Sequence, residues 1–330
     1  MKILVLDNQQ IRKLLTMTEC IELMADALSA LARGEVFQPL RTIVRPPEAR
    51  GLLGLMPAYR GGEQGAFGLK AISVFPENPA LGKDAHQGAV MLFSQETGEL
   101  LALMNASEIT AIRTAAVSAV ATRLLAREDA QQLGIIGAGV QARTHLEALA
   151  AVRPIKGARM ACRNVEHAEQ LVREMQPKFS FPIEAVRMNE DAVRDADLIV
   201  TATSSLEPVI NKGWISSGAH VNAIGTHSPN SREIDSATMA AARIYVDRRE
   251  SALNESGDYL LAAKEGLVTP ESILGEIGEL LIGTKSGRTS STEITIFKSL
   301  GLAIEDVVSA DYLYNKAQAQ NAGTWVDFSL

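Results

Sequence analysis

The chain has 330 residues, of which 46% are hydrophobic and 22% are charged, and its formal net charge at pH 7 is −7. This length predicts two domains with sizeable apolar cores, and the negative charge argues against a nucleic-acid-binding protein. No apolar run is long enough to span a membrane, and Asp7 interrupts the short apolar run at the beginning. We therefore expect a soluble, cytoplasmic protein without a membrane span or a signal peptide.

The two cysteines, Cys20 and Cys162, lie far apart in the sequence and in no C-x-x-C or Cys/His cluster. This spacing argues against a structural zinc site, and we expect no metal. Free thiols of this kind are typical of a reducing compartment.

The first 130 residues contain two predicted helices on either side of a β-rich region. A helix over residues 16–33 begins with a capping box of Thr16 and Glu19 and carries one apolar face. Between residues 41 and 104, short β-rich pieces are separated by Gly and Pro, and QETGE joins two of them in a predicted hairpin. An Ala-rich helix follows over residues 107–126. This region predicts an α+β domain with an antiparallel or mixed sheet.

From residue 132 to about 300, short apolar strands alternate with helix-sized segments. Predicted strands include LGIIG, ARMACR and residues 197–203, 220–225 and 243–247, with helices from about 140 and over 165–176. This alternation predicts an α/β fold with a Rossmann-type, doubly wound parallel sheet. A further helix is predicted near 304–320, and we expect the tail to return to the first domain.

A glycine motif lies in LGIIGAGVQARTHLEAL, residues 133–149, between a predicted strand and a predicted helix. Gly137 permits the tight turn, Gly139 lets the backbone approach a pyrophosphate, and Ala142 allows close packing of helix on strand. Together with Ala138, Val140 and Gln141, these residues predict a phosphate cradle at a helix N-terminus. The alternative is a tight turn without a ligand, and the parallel strands that follow favour the dinucleotide site.

The end of the second strand of this domain selects the nucleotide. Enzymes that use NAD usually place Asp or Glu there, whereas this strand ends in Cys162-Arg163-Asn164. Arg163 is suited to a 2′-phosphate, with Asn164 beside it. We therefore favour NADP(H), with NAD(H) possible, over the alternative that Arg163 is only a solvated surface residue.

Three cations occupy apolar or small-residue surroundings: Arg41 in QPLRTIV, Lys70 in FGLKAISVF and Arg113 in ITAIRTAAVSA. A buried arginine needs a partner, and three cations that converge without matching acids would form a carboxylate site. The sequence alone does not show that they converge.

Two histidines are candidates for proton delivery near neutral pH: His86 in DAHQGAV and His227 in GTHSPNSREID. His227 directly follows a predicted strand, at the edge of the sheet where such folds bind ligands. The other three histidines are interpreted as structural or surface residues.

The sequence resembles the ornithine cyclodeaminase/mu-crystallin family along nearly its whole length. The stretches that carry the resemblance are QPLRT, MPAY, GLKAISVFPEN, HQGAVMLF, TGELLALMNASEITAIRTAAVSA, GIIGAGVQA, GAHVNAIGTHSP, REID and FKSLG. The resemblance implies a homodimer. It also implies a substrate-binding and dimerisation domain, residues 1–120 with 305–330, and a dinucleotide-binding domain, residues 121–304, that holds a nicotinamide cofactor.

The resemblance also assigns roles to residues. Arg41, Lys70 and Arg113 match the family's binding site for the substrate carboxylate. The cofactor residues it implies, beyond the cradle, are Thr114, Thr203, Ser204, Gly225, Thr226, Ser299 and Gly301.

The family divides by reaction. Its cyclodeaminases use an aspartate just after the strand that matches HVNAIG, and this chain has His227 there. Its ketimine reductases lack that aspartate and have an Asn-Arg-Thr-like strand end, which Cys162-Arg163-Asn164 resembles. Both features favour the ketimine reductase-like branch.

The expected function is therefore NADPH-dependent reduction of a small 2-carboxylated imine, such as Δ1-pyrroline-2-carboxylate or Δ1-piperideine-2-carboxylate, to L-proline or L-pipecolate. Lys70, His86 and His227 are the candidate catalytic residues. The alternatives are an ornithine cyclodeaminase, an alanine-type amino-acid dehydrogenase, and a non-catalytic NADP(H)-dependent ligand-binding protein.

Overall fold

The computed structural model describes residues 2–62 and 65–328. These residues form two compact units, the first containing the chain up to Arg113 and from Gly301 onward, the second Thr114–Leu300. The predicted division after residue 120 lies about two turns further along the same helix. Among the described residues, no helix is both long and apolar enough to cross a bilayer.

The elements alternate along the chain and are numbered in order within each type. The strands are β1 (Lys2–Leu6), β2 (Val36–Phe37), β3 (Thr42–Val44), β4 (Leu52–Arg60), β5 (Ala66–Val74), β6 (His86–Phe93), β7 (Leu100–Asn105), β8 (Gln132–Ile136), β9 (Gly157–Ala161), β10 (Ile183–Ala185), β11 (Leu198–Thr201), β12 (His220–Ala223), β13 (Arg243–Val246), β14 (Ile273–Glu276), β15 (Thr295–Lys298) and β16 (Thr324–Asp327). The α-helices are α1 (Asn8–Leu14), α2 (Met17–Ala32), α3 (Ala106–Leu125), α4 (Val140–Val152), α5 (Val165–Met175), α6 (Asn189–Val193), α7 (Ser236–Ala241), α8 (Arg249–Glu255), α9 (Gly257–Lys264), α10 (Ile277–Leu281) and α11 (Ala303–Gln320).

The first unit is built on a mixed sheet in the order β16-β1-β7-β6-β5-β4-β2, with β3 also paired to β4. The β1–β7 pair is parallel and the others are antiparallel, which confirms the predicted mixed sheet and the β6–β7 hairpin. Helix α11 packs so closely on this sheet that a Cβ at Gly68 would lie 2.6 Å from a Val307 methyl. One face of the sheet therefore faces this helix.

Helix α2 begins as predicted. The Thr16 hydroxyl accepts the Glu19 N–H, and the Glu19 carboxylate accepts the Thr16 N–H, so both bonds of the capping box form.

The second unit is a parallel sheet in the order β10-β9-β8-β11-β12-β15-β13-β14. Every described pair in it is parallel, which confirms the Rossmann-type fold. Strands β11, β12 and β15 are buried at every position because apolar clusters cover both faces. The chain runs outward from β8 to β10 and then returns to β11 on the other side of β8. In such sheets, ligands bind beside the carboxyl ends of the strands at this reversal.

Candidate active site

The first unit brings Lys70 and Arg113 onto the same buried carboxylate. Lys70 Nζ lies 2.7 Å from one oxygen of Asp306, and Arg113 Nε donates to the other oxygen at 3.2 Å. Arg113 Nη1 also donates to Glu305 at 2.6 Å. The first turn of α11 therefore supplies two acids to Lys70 and Arg113.

Arg41 lies at the edge of this group. Its guanidinium donates to the carbonyl of Gly301 at 3.0 Å. Gly301 has φ +78°, and a Cβ there would lie 2.7 Å from Arg113 Nη1. Only glycine fits this backbone conformation beside the arginine without strain. Gly301, which the family resemblance assigns to the cofactor site, contacts the two arginines in this structure.

These five side chains, which we call the cation cluster, carry an excess of positive charge. When all are ionised, Arg41, Lys70 and Arg113 contribute three positive charges against the two negative charges of Glu305 and Asp306. One net positive charge in a largely buried setting favours a single carboxylate ligand.

Lys70 is poised to change its charge within the physiological pH range. Its side chain is buried, and this burial lowers the pKa to about 8. Asp306 raises the pKa of Lys70, whereas the charges of Arg113 and Arg41 lower it. The lysine can therefore hold a proton at neutral pH and release it in mild base.

His86 lies near the cation cluster. It is the first residue of β6, and its side chain is exposed. Surrounding protein lowers the pKa of this imidazole, and the charge of Lys70 lowers it further, while Asp84 opposes both effects. An exposed imidazole with a lowered pKa is suited to exchanging protons with solvent.

The second unit forms the predicted cradle between β8 and α4. Gly137 has φ +123°, and a Cβ there would lie 2.4 Å from the Ala202 carbonyl oxygen. Gly139 is the N-cap residue of α4, where an added Cβ would meet nothing within 4 Å. Ala142 lies in the first turn of α4, and its side chain is fully buried.

The start of α4 keeps its capacity to bind an anion. Among the described residues, no side chain caps this helix. Ala138 and Val140 flank Gly139, and the open space above that glycine leaves room for a phosphate group. Gln141 follows in the first turn. This geometry fits a pyrophosphate at a helix N-terminus.

Arg163 and Asn164 follow the carboxyl end of β9, and both are exposed. Asn164 accepts the Glu166 N–H and thereby caps α5, a second role that the sequence did not reveal. Arg187 occupies the equivalent place after β10, and it is also exposed. Since β10 pairs in parallel with β9, the two arginines follow adjacent strand ends.

Four further predicted cofactor residues lie in the turns after β11 and β12, and one buried carboxylate holds two of them. Glu233 accepts the Thr203 N–H at 2.6 Å on one oxygen and the Gly225 N–H at 2.7 Å on the other. Burial raises the pKa of the Glu233 carboxyl, whereas the positive charge of Lys298 lowers it; the effect of burial is the larger. Ser204, the next residue in the first turn, is exposed.

Thr226 is held by a buried ion pair. Lys298 Nζ lies 2.9 Å from the Asp258 carboxylate and donates to the Thr226 carbonyl at 2.8 Å. His227 follows in the chain and is exposed.

The remaining predicted residues are buried. Thr114 lies within α3, and Ser299 directs its hydroxyl toward Asp247 at 3.4 Å. His145 bonds to Ser118 and to the Gln141 carbonyl, and burial lowers its pKa to about 4, so it has a structural role as predicted.

Sequence reasoning missed the buried polar residues that hold these positions: Glu233, Asp258, Lys298, Glu305 and Asp306. A signal did exist for Lys298, because TIFKSLG places a lysine among apolar strand residues just as FGLKAISVF does for Lys70. For the acids there was little signal, because Asp258, Glu305 and Asp306 lie in first helical turns, where acidic residues are common, and Glu233 lies in a loop before α7.

Comparison with known proteins identifies the family to which the chain belongs. A sequence model of the ornithine cyclodeaminase/mu-crystallin family matches residues 1–321. The chain is 39% identical over 326 residues to a Δ1-pyrroline-2-carboxylate reductase of Bacillus cereus, covering 98% of this chain and 100% of the relative. It is 40% identical over 284 residues to the ketimine reductase mu-crystallin of Mus musculus, covering 86% of each chain.

A solved structure is equally similar. The Thermococcus litoralis Δ1-pyrroline-2-carboxylate reductase, in complex with NADH and L-proline, superposes with a TM-score of 0.95 at 40% identity. The match covers 98% of this chain and 99% of that one. The family match, the two relatives and this structure together place the chain, over almost its entire length, in the ornithine cyclodeaminase/mu-crystallin family.

Proposed function

We propose that this chain is a nicotinamide-dependent reductase of small cyclic imines with a carboxylate at C2, such as Δ1-pyrroline-2-carboxylate or Δ1-piperideine-2-carboxylate. The products are L-proline and L-pipecolate. The observation that carries the proposal is the cation cluster, whose single excess positive charge matches one substrate carboxylate. Similarity to two imine reductases over most of their length supports it.

The cradle fits a dinucleotide. The open space above Gly139 and the uncapped start of α4 suit a pyrophosphate, and Gly137 allows the turn that leads to them. When bound, the nicotinamide supplies a hydride to the imine carbon.

The chain's own residues bind and orient the substrate. Arg41 and Arg113 hold the carboxylate, and the protonated Lys70 adds a third positive group. The imine nitrogen takes one proton, so that C2 becomes electron-poor before it accepts the hydride. The C=N bond then becomes CH–NH, and one reduced nicotinamide and one proton are consumed. His86 and His227, both exposed, exchange that proton with solvent.

NADP(H) is the preferred cofactor in this proposal. Arg163 and Arg187 follow adjacent strand ends, and neither forms an ion pair with a described residue. The end of β9 carries no acid that would accept from a ribose 2′-hydroxyl. Two arginines are instead suited to a 2′-phosphate.

A second copy of this chain is the proposed partner. Gly68 faces α11, so its neighbours in β5 point to the opposite face of the sheet. Pro57, Leu69, Met91 and Leu103 align across four strands on that face. Phe67, in the next row, is 46% exposed. A continuous apolar row of this kind favours a self-complementary, homodimeric interface.

The first experiment measures oxidation of NADPH and NADH with the five- and six-membered cyclic imino acids, with ammonia release from ornithine assayed in parallel. We expect rapid oxidation with the imines, faster with NADPH. Ammonia release from ornithine without imine reduction would identify a cyclodeaminase in which His227 replaces the aspartate. Reduction of pyruvate with ammonia alone would identify an alanine-type dehydrogenase, and nucleotide binding without turnover would identify a ligand-binding protein.

A further inference from the structure

We infer that Glu233 is a positioning residue that fixes the turns after β11 and β12 in the shape required by the nicotinamide half of the cofactor. The inference rests on the proposed nucleotide site of the second unit. It does not depend on which imine is reduced.

The Glu233 carboxylate is saturated by donors from both turns. One oxygen accepts the N–H and the hydroxyl of Thr203, at 2.6 and 2.7 Å. The other accepts the Gly225 N–H at 2.7 Å and the Thr201 hydroxyl at 3.0 Å. Since the side chain is completely buried, these four bonds replace water entirely.

The two turns lie so close together at Gly225 that no larger residue fits there without a shift. A Cβ at Gly225 would lie 2.2 Å from the Thr203 carbonyl oxygen and 2.5 Å from a Glu233 oxygen. The two turns are therefore in close contact at Gly225, and the Glu233 carboxylate joins them.

A second carboxylate fixes the position of Glu233 itself. Asp258 accepts the backbone N–H groups of Glu233 and Ile234 at 2.7 and 2.9 Å. Its other oxygen pairs with Lys298 Nζ, which donates to the Thr226 carbonyl. The network thus begins and ends on the same pair of turns.

The donors impose a strict chemical requirement. Each Glu233 oxygen faces one backbone N–H, from Thr203 on one side and from Gly225 on the other. A threonine hydroxyl can rotate to accept a bond, whereas a backbone N–H can only donate. In Glu233→Gln, either orientation of the amide directs its NH2 group at one of these N–H groups. The isosteric substitution must therefore displace one turn.

The displacement has a specific readout. Thr203, Ser204 and Thr226 lie in the affected turns, whereas none of the described bonds of the Glu233 carboxylate reaches Arg163 or the cradle. In Glu233→Gln we expect the dissociation constant of NADP⁺, measured by calorimetry, to rise about tenfold or more. The dissociation constant of adenosine 2′,5′-bisphosphate, which lacks the nicotinamide half, stays within about twofold.

The control is Glu265→Gln, the same change at an exposed carboxylate in the same unit, where both constants stay at wild-type values. If Glu233→Gln does not fold, Glu233→Asp retains both acceptors but withdraws them by about one bond length. It should again weaken NADP⁺ selectively.

Two outcomes overturn the inference: unchanged NADP⁺ binding in the variant, or equal weakening of both ligands, which indicates general destabilisation. A wild-type protein that binds neither ligand overturns the nucleotide site and the inference together. A wild-type protein that binds NADP⁺ but reduces no imine overturns the proposed reaction and leaves the inference standing.

Discussion

Arg113 and Arg41 contribute the same charge to the cation cluster but differ in what depends on them. Arg113 neutralises the buried acids Glu305 and Asp306, so its truncation leaves two carboxylates without that cation inside the protein. Breaking a buried pair in this way costs about 3–5 kcal/mol of folding free energy. Loss of activity in Arg113→Ala would therefore report on folding as much as on substrate binding.

Arg41 provides a cleaner test of carboxylate binding. Arg41→Met keeps much of the side-chain stem and removes the charge and the bond to Gly301. We expect KM for the cyclic imine to rise at least about tenfold, because a charge-assisted bond to the substrate is lost, with little change in Tm. Steady-state kinetics and thermal melting measure both effects. Arg45→Met, a charge change at an exposed neighbour, is the control, and an unaltered KM in Arg41→Met would contradict the carboxylate site.

Lys70 predicts a pH dependence of ligand binding. Below its pKa of about 8 the lysine is charged and the cation cluster has one excess positive charge; above it the excess disappears. Besides burial, the charges of Asp306, Arg113 and Arg41 influence this pKa, and His86 is a nearby titratable group whose own pKa Lys70 lowers. The inhibition constant of pyrrole-2-carboxylate, which remains an anion from about pH 6 to 10, should therefore rise above pH 8.

Lys70→Arg is the matched variant for this measurement. Arginine keeps its charge throughout the pH range, so the rise in the inhibition constant should be absent. A wild-type inhibition constant that is flat across pH 8 would contradict the assignment of Lys70 to the substrate carboxylate.

The two exposed arginines predict the choice of nucleotide. In Arg163→Ala and in Arg187→Ala we expect NADP⁺ to bind about tenfold more weakly, since each loses one contact to a 2′-phosphate, with NAD⁺ binding unchanged. Calorimetric titration with both nucleotides gives this ratio. Arg173→Ala removes the same charge from the exposed surface of α5, and it controls for the general electrostatic effect of losing one positive charge. Equal weakening of NAD⁺ would exclude a 2′-phosphate contact.

At the scale of elements, the turn between β8 and α4 contains two glycines, Gly137 and Gly139, for which we expect different roles. Gly137 has a positive φ and a carbonyl oxygen in the space of a side chain, whereas Gly139 has an ordinary φ of −90° and open space. The first glycine is therefore required by the fold, and we expect the second to be required only by the proposed ligand.

Alanine at each glycine tests this division. Gly139→Ala should change Tm little and weaken nucleotide binding strongly, because the added methyl group occupies the space of the pyrophosphate. Gly137→Ala should lower Tm by several degrees with or without nucleotide, because both strain and a steric clash must be accommodated. Thermal melting with and without NADP⁺ compares them. Unchanged binding in Gly139→Ala would remove the cradle from the proposed site.

Local patterns predicted most of the elements but not where two central strands end. The sequence predicts strands over 197–203 and 220–225, whereas β11 ends at Thr201 and β12 at Ala223. Two residues after each strand ends, a backbone N–H, of Thr203 or of Gly225, donates to the Glu233 side chain and not to a neighbouring strand. That partner is 30 residues away from Thr203 in the sequence, so local apolar periodicity carries no trace of it.

The candidate site shows the same limit. The cations and the glycine motif were recognisable from their neighbours in the sequence. By contrast, the acids that pair with Lys70 and Arg113 lie more than 190 residues beyond Arg113, and only the tertiary fold brings them together. Sequence reasoning therefore found the groups proposed to face a ligand and missed most of the buried residues that hold those groups in place.

For the whole molecule, the apolar sheet face predicts assembly. Leu69→Glu places a charge in the middle of the row formed with Pro57, Met91 and Leu103. We expect this variant to be a monomer and the wild type a dimer, because a carboxylate buried at an apolar interface has no partner. Light scattering coupled to size-exclusion chromatography measures the mass. Ser73→Glu, at the polar end of the same strand and face, is the control, and a dimeric Leu69→Glu variant would place the interface elsewhere.

The divided first unit has a consequence for biosynthesis. On the ribosome, residues Thr114–Leu300 are all translated before Glu305 and Asp306 exist. Until then the acids that pair with Lys70 and Arg113 have not been synthesised. Both cations are buried in the folded protein, so burying them at this stage would leave two charges without partners. Because uncompensated charge opposes burial, we expect the early segment to stay open while the second unit completes its own core. Translation of α11 then supplies both acids in one helical turn, so the cation cluster can be completed only after the whole second unit has been translated.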